Sequence, residues 1–116
     1  MVDHGWMLIL YNMLGAIKKI FGLGNPAVNF SQLLKNGALI IDVRSKGEFS
    51  SGAINGAKNI PLDTLLNSIG KIDKSTTIIT CCASGMRSGV ARQQLIAKGF
   101  NSVYNGGGWK SLQNKL

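Results

Sequence analysis

At 116 residues the chain has room for one hydrophobic core and not two, and a hydrophobic share of 45% with 16% charged residues excludes the disordered and low-complexity classes. Thirteen basic against five acidic residues give a formal net charge of +8, which admits anionic partners, but the basic residues are scattered singly, without the aromatic-interleaved run that binds nucleic acid, so no nucleic-acid partner is expected. Two cysteines adjacent in sequence exclude a disulfide framework and a single histidine excludes a Cys/His metal cluster, so no metal and no cofactor are expected, and the chain reads as cytoplasmic.

The first segment is apolar from Trp6 to Leu14 and meets Lys18 and Lys19 soon after. This run falls short of the roughly 20 residues that cross a bilayer. It also lacks the basic start of a signal peptide, since Asp3 and His4 precede it. Three readings stay open: a helix packed on the domain, an interfacial helix making a weak membrane-surface contact through residues 6–21, or an extension ahead of a working start at Met13. Gly22, Leu23, Gly24, Asn25 and Pro26 form a breaker cluster, dividing the chain into an extension over 1–24 and a domain over 25–116.

Beyond it, Val28, Phe30, Leu33 and Leu34 predict a short strand and a helix, with Ser31 as N-cap and Gly37 as stop. Ala38 to Val43 is an apolar run broken only by Asp42 and followed by Arg44, the pattern of a buried parallel strand whose charged end is its functional edge. Ser45 to Ser50 predicts a helical turn carrying Glu48 and Phe49, in which Arg44 and Glu48, four apart, can pair. A short strand then leads to Pro61, which starts a helix whose Leu62, Leu65, Leu66 and Ile69 share one face.

The chemistry is concentrated between Thr76 and Gly89. A β-branched run, two cysteines with small residues, and a helical pattern through Val90, Ala91, Leu95 and Ile96 predict a strand, a tight loop and a helix. In open α/β sheets ligands bind at this kind of junction. Ala83, Ser84, Gly85 and Met86 can curl so that successive N–H groups point inward, with Gly85 free to take a positive φ, and such a nest at a helix N-terminus binds anions. A sulfur at its centre is held as thiolate by those N–H groups and by Arg87, and a thiolate is a nucleophile. Counted from Cys82 the ring is C-x4-R, which fits one sulfur; counted from Cys81 it is C-x5-R, with room for a phosphate. Alternation along a strand buried on both faces does not choose between them. Cys81 reads as the buried end of the strand. After the loop come a helix over Ser88 to Lys98 stopped by Gly99, a strand over Asn101 to Asn105, and a turn from Gly106 to Trp109 into a last helix.

The loop Cys82 to Ser88 resembles the active-site loop of single-domain rhodaneses, sulfurtransferases that carry sulfur as a cysteine persulfide. The likeness extends to Asp42-x-Arg44, Glu48-Phe49, Gly52-x-Ile54, Gly56-Ala57 and Asn59-Ile60-Pro61. Where the family often has histidine this chain has Ala53, and its closing glycines stand nearer to Trp109 than is usual. The resemblance implies a three-layer α/β domain with a mainly parallel sheet of about five strands flanked by helices. It implies Cys82 as catalytic residue, Ala83, Ser84, Gly85, Met86 and Arg87 as the substrate-binding loop, and Asp42, Arg44 and Glu48 in support, with Arg44 helping to draw in the anion. The partners so implied are a small anionic sulfur donor such as thiosulfate and a thiol or cyanide acceptor. A phosphatase or arsenate reductase using Cys81, or a non-catalytic rhodanese-like binding module, stays open as an alternative, and the sequence leaves the oligomeric state undetermined.

Overall fold

The computed structural model describes residues 27–116, so the expectations for the extension 1–24 and for the boundary at Pro26 lie outside the described residues. The elements follow as helix α1 (Phe30–Lys35), strand β1 (Leu39–Asp42), helix α2 (Lys46–Ser50) and strand β2 (Lys58–Asn59). A 3-10 turn (Leu62–Thr64) runs into helix α3 (Leu65–Ser68), and strand β3 (Ile78–Cys82), helix α4 (Met86–Ala97), strand β4 (Val103–Gly108) and helix α5 (Trp109–Gln113) complete the chain.

The four strands form one parallel sheet in the order β2-β1-β3-β4, which puts β3 in the interior with β1 and β4 on either side. Parallel strands need crossovers, and the intervening helices supply them on both faces. On one face Leu65 of α3 and Ala91 and Leu95 of α4 pack on Ile41, Val43, Ile60, Ile78 and Cys82. On the other, Phe30 of α1 and Leu112 of α5 pack on Ile40, Ile54, Ile79 and Cys81. The result is the expected three-layer α/β domain, with four strands rather than about five among the described residues. Among these residues no helix is long and apolar enough to cross a membrane.

The difference of one strand lies at the start. Val28 to Phe30 makes no strand, and α1 begins directly at Phe30, capped by Asn29, whose side-chain oxygen accepts from the Gln32 N–H at 3.0 Å. Ser31, expected as the cap, is inside the helix. The last strand is longer than expected and runs through the glycines to Gly108. The reason is close approach: a Cβ on Gly106 would lie 2.9 Å from the Thr80 carbonyl oxygen and 2.8 Å from Leu112 Cδ2. Glycine lets β4 lie flat between β3 and α5 where any side chain would hold them apart.

Candidate active site

Side-chain parity along β3 decides which cysteine faces the functional helix. Ile78 and Cys82 point to the α3/α4 face, as does Thr80, whose hydroxyl donates to the Ser88 carbonyl at 2.8 Å; Ile79 and Cys81 point to the α1/α5 face. The two thiols are free and stand on opposite sides of the sheet.

Cys82 ends β3 just below the start of α4. Gly85 takes φ +103°, turning the chain into the helix. Gly85, the N-cap residue, has no side chain with which to cap α4. The sulfur does that work: Cys82 Sγ accepts from the Gly85 N–H at 3.0 Å and from the Ser88 N–H at 3.4 Å, and lies 3.4 Å from Ser88 Oγ. Burial pushes the thiol's pKa up, but the Ser88 hydroxyl and the N–H groups of Ser88, Gly85 and Ser84 outweigh it, and the net shift is downward. The residue is only 1% exposed, whereas Met86 in the first turn of α4 is 81% exposed.

Cys81 has the opposite character. It is fully buried, and burial first, then the charge of Asp42, pushes its thiol up to about 12. A ring counted from Cys81 would therefore be centred on a protonated thiol, on the face away from α4.

The supporting residues are brought together, with partners that differ from the expected ones. Asp42 and Arg44 form a buried ion pair, Nη2 to Oδ2 at 2.8 Å and Nε to both oxygens at 3.0 Å. Arg44 also donates to the carbonyls of Glu48 at 3.2 Å and Gly52 at 2.8 Å, and its guanidinium lies 4.7 Å from the Trp109 ring centroid. At 4% exposure with four of its five N–H donors committed, Arg44 braces the loop after β1 and is not placed to draw in an anion. Nor does it pair with the Glu48 carboxylate, which instead receives both terminal nitrogens of Arg87 at 2.7 and 2.8 Å. Glu48 also closes a reciprocal capping box with Ser45 at the start of α2. The Arg87 bidentate bond, followed by the Ser45 N–H, lowers the Glu48 pKa to about 2. Arg87 thus ties α2 to the first turn of α4, beside the sulfur.

Two further contributors were not assigned a role from sequence. Ser88 is fully buried against Cys82, and its hydroxyl meets Asn105 Oδ1 at 2.7 Å. Gly108 stands opposite Cys82 across the β3–β4 pair, where its missing Cβ leaves room for the Ala83 carbonyl.

The model of the Rhodanese-like domain matches residues 27–115, nearly the whole described chain. The chain belongs to the rhodanese-like family. Among relatives of this rhodanese-like chain, YqhL of Bacillus subtilis is 39% identical over 80 residues, covering 68% of this chain and 64% of YqhL. The thiosulfate sulfurtransferase GlpE of Shewanella oneidensis is 35% identical over 66 residues, covering 57% of this chain and 65% of GlpE. The chain thus spans slightly under two thirds of the length of these two relatives. The human single-domain sulfurtransferase TSTD1 superposes with a TM-score of 0.69 at 27% identity, over 80% of this chain and 99% of that one.

Proposed function

We propose that this rhodanese-like domain is a thiosulfate sulfurtransferase working through a persulfide on Cys82. The observation that carries the reading is the position of Cys82 Sγ, which accepts N–H groups from Gly85 and Ser88 at the N-terminus of α4. The Cys82 thiolate attacks the outer sulfur of thiosulfate. An S–S bond forms to Sγ, the bond to the sulfonate breaks, and sulfite leaves with the electron pair, needing no proton. The terminal persulfide sulfur is anionic and is held by the same N–H cradle and by the positive end of α4. Cyanide or a thiolate acceptor then attacks that sulfur, the S–S bond breaks towards Sγ, and the Cys82 thiolate is restored.

Arg87 contributes positive charge at the mouth, moderated by Glu48. A surface groove of about 1250 Å³, lined by Lys46, Lys58, Leu66 and Arg87 among others, lies on the outer side of Arg87. A nucleophilic thiol must be kept reduced, so we place the reaction in the cytoplasm. The relatives named thiosulfate sulfurtransferase support the choice of donor, and the placement of Cys81 on the α1/α5 face, with its thiol pushed up to about 12, argues against the phosphatase reading.

The test is thiocyanate formation from thiosulfate and cyanide, run beside hydrolysis of an aryl phosphate. Thiocyanate formation is expected to vanish in Cys82→Ser, with negligible phosphate release throughout. Thiocyanate formation unchanged by Cys82→Ser, or efficient phosphate release, would overturn the proposal.

A further inference from the structure

The hydroxyl of Ser88 has one hydrogen and two acceptors within reach, Asn105 Oδ1 at 2.7 Å and the Gly85 carbonyl at 3.1 Å, while its Oγ accepts from the Cys82 thiol at 3.4 Å. A single hydrogen serves one of them well, and the shortest contact is to Asn105. The Asn105 amide is itself locked. Its Oδ1 also accepts from the Gly107 N–H at 2.9 Å, and its Nδ2 donates to the Gly85 carbonyl at 3.2 Å. Turning the amide over would set N–H against N–H at Gly107 and oxygen against oxygen at Gly85, so two backbone groups determine which way it points.

With the amide held this way, the Ser88 hydrogen is directed at Asn105 and the Oγ lone pairs face Cys82. That arrangement receives the Cys82 S–H and completes a chain from S–H to Oγ–H to Oδ1. It does not serve the thiolate: the lowering of the Cys82 pKa by the Ser88 hydroxyl comes into play only when that hydrogen turns from Asn105 to the sulfur. We propose that Asn105 is a positioning residue which, by directing the Ser88 hydroxyl hydrogen away from the sulfur, favours the resting thiol of Cys82 and sets how readily the nucleophile ionises. The cost of freeing Ser88 is one hydrogen bond to Asn105, which retains Gly107 as donor.

The other groups around the sulfur do not perform this switch. From α4 come the N–H groups and Arg87, which is paired with Glu48 of α2. Asp42 of β1, paired with Arg44, lies beside Cys81. Cys81 and Tyr104, the titratable neighbours on β3 and β4, belong to the opposite face.

The inference rests on Cys82 being the nucleophile but on no particular sulfur donor. Its test is the rate of alkylation of Cys82 by iodoacetamide across pH, on the full chain, with the modified cysteine located by mass spectrometry. Asn105→Ala removes the shortest acceptor and leaves the Ser88 hydrogen to the Gly85 carbonyl at 3.1 Å or the thiolate, whose charge makes it the stronger acceptor. A hydrogen bond to a charged group is worth enough to raise the rate at pH 6 by about ten-fold and to move the midpoint of the profile down. Asn105→Asp keeps the acceptor and adds negative charge, so it slows alkylation and moves the midpoint up. In a Ser88→Ala background, adding Asn105→Ala should change the rate by less than about two-fold, because the coupling runs through Ser88.

Three outcomes overturn the inference: an unchanged profile in Asn105→Ala, an upward shift in Asn105→Ala from a loosened loop, or an effect of equal size without Ser88. Alkylation that follows the expected pattern in a chain that transfers no sulfur would refute the proposed function and leave this inference standing.

Discussion

Gly108→Ala isolates the contact between β4 and the active-site loop. Gly108 has φ −67° and ψ 137°, ordinary extended backbone that alanine adopts freely, so the substitution carries no conformational penalty. Its consequence is steric. The new Cβ would lie 2.8 Å from the Ala83 carbonyl oxygen, 3.6 Å from the Ala83 carbonyl carbon and 3.8 Å from Ser84 Cα. Carbon and carbonyl oxygen settle at about 3.3 Å or more, so strand and loop must separate by about 0.5 Å.

Overpacking of this kind costs about 1–3 kcal/mol, and each kcal/mol lowers the melting temperature of a domain this size by roughly 4–8 °C. Because Gly108 sits opposite Cys82, the displacement falls on the bonds that hold Sγ, the Gly85 N–H at 3.0 Å above all. Sulfur transfer should therefore drop by on the order of ten-fold, since sub-ångström misplacement of a reacting group is costly. The control is Gly99→Ala, at the far end of α4, where φ is +99° and the space around is open. It should cost about 1 kcal/mol through backbone strain, lowering the melting temperature by roughly 4–8 °C, and leave the rate unchanged. Thermal unfolding and initial rates on both variants decide the matter. Parental rate and melting temperature in Gly108→Ala, or an equal loss of rate in Gly99→Ala, would refute the reasoning.

Cys81→Ser should keep most sulfur transfer and lose at most about 1–2 kcal/mol of stability, because the hydroxyl replaces a buried thiol beside a carboxylate that can accept from it; a dead but folded Cys81→Ser would contradict the parity argument. Arg44→Ala should cost about 3–5 kcal/mol in denaturant unfolding, since it leaves Asp42 buried without its counter-charge; a loss within 1 kcal/mol would show that the pair is not structural. For Glu48 the sign follows from a folded pKa of about 2, below the value in the unfolded chain: its pair with Arg87 stabilises fully above the ordinary carboxylate range near 4 and is lost as pH falls towards 2. Melting temperatures of the parent and of Glu48→Gln should therefore differ most above about pH 5 and converge towards pH 2; a gap that stays constant with pH would contradict the assignment.

The strand, loop and helix from Ile78 to Ala97 were legible because local signals agreed: a β-branched run, small loop residues with Gly85 at the one position needing positive φ, and helical spacing after it. The partners of charged groups were not legible in the same way. Arg44 and Glu48 stand four apart, which suggests a pair, but Arg44 reaches back to Asp42, while Glu48 finds Arg87 across the site, a partner set by tertiary structure alone. Asn29 and Ser31 are both good caps two residues apart, and nothing local ranks them. Asn105 sits before a run of glycines that reads as a turn, yet those glycines serve close packing, and the strand they extend delivers the amide to Ser88. The choice between Cys81 and Cys82 needed the third dimension, because a strand covered on both faces hides its period while its parity still sends the two thiols to opposite sides.

The most direct measurement is the mass of the intact protein after thiosulfate treatment and desalting without reductant, followed by fragmentation of the peptide that holds both cysteines. One added sulfur atom is expected on Cys82, removed by cyanide with the appearance of thiocyanate, and absent in Cys82→Ser. An unmodified protein, or the added sulfur on Cys81, would contradict the persulfide mechanism assigned to this site.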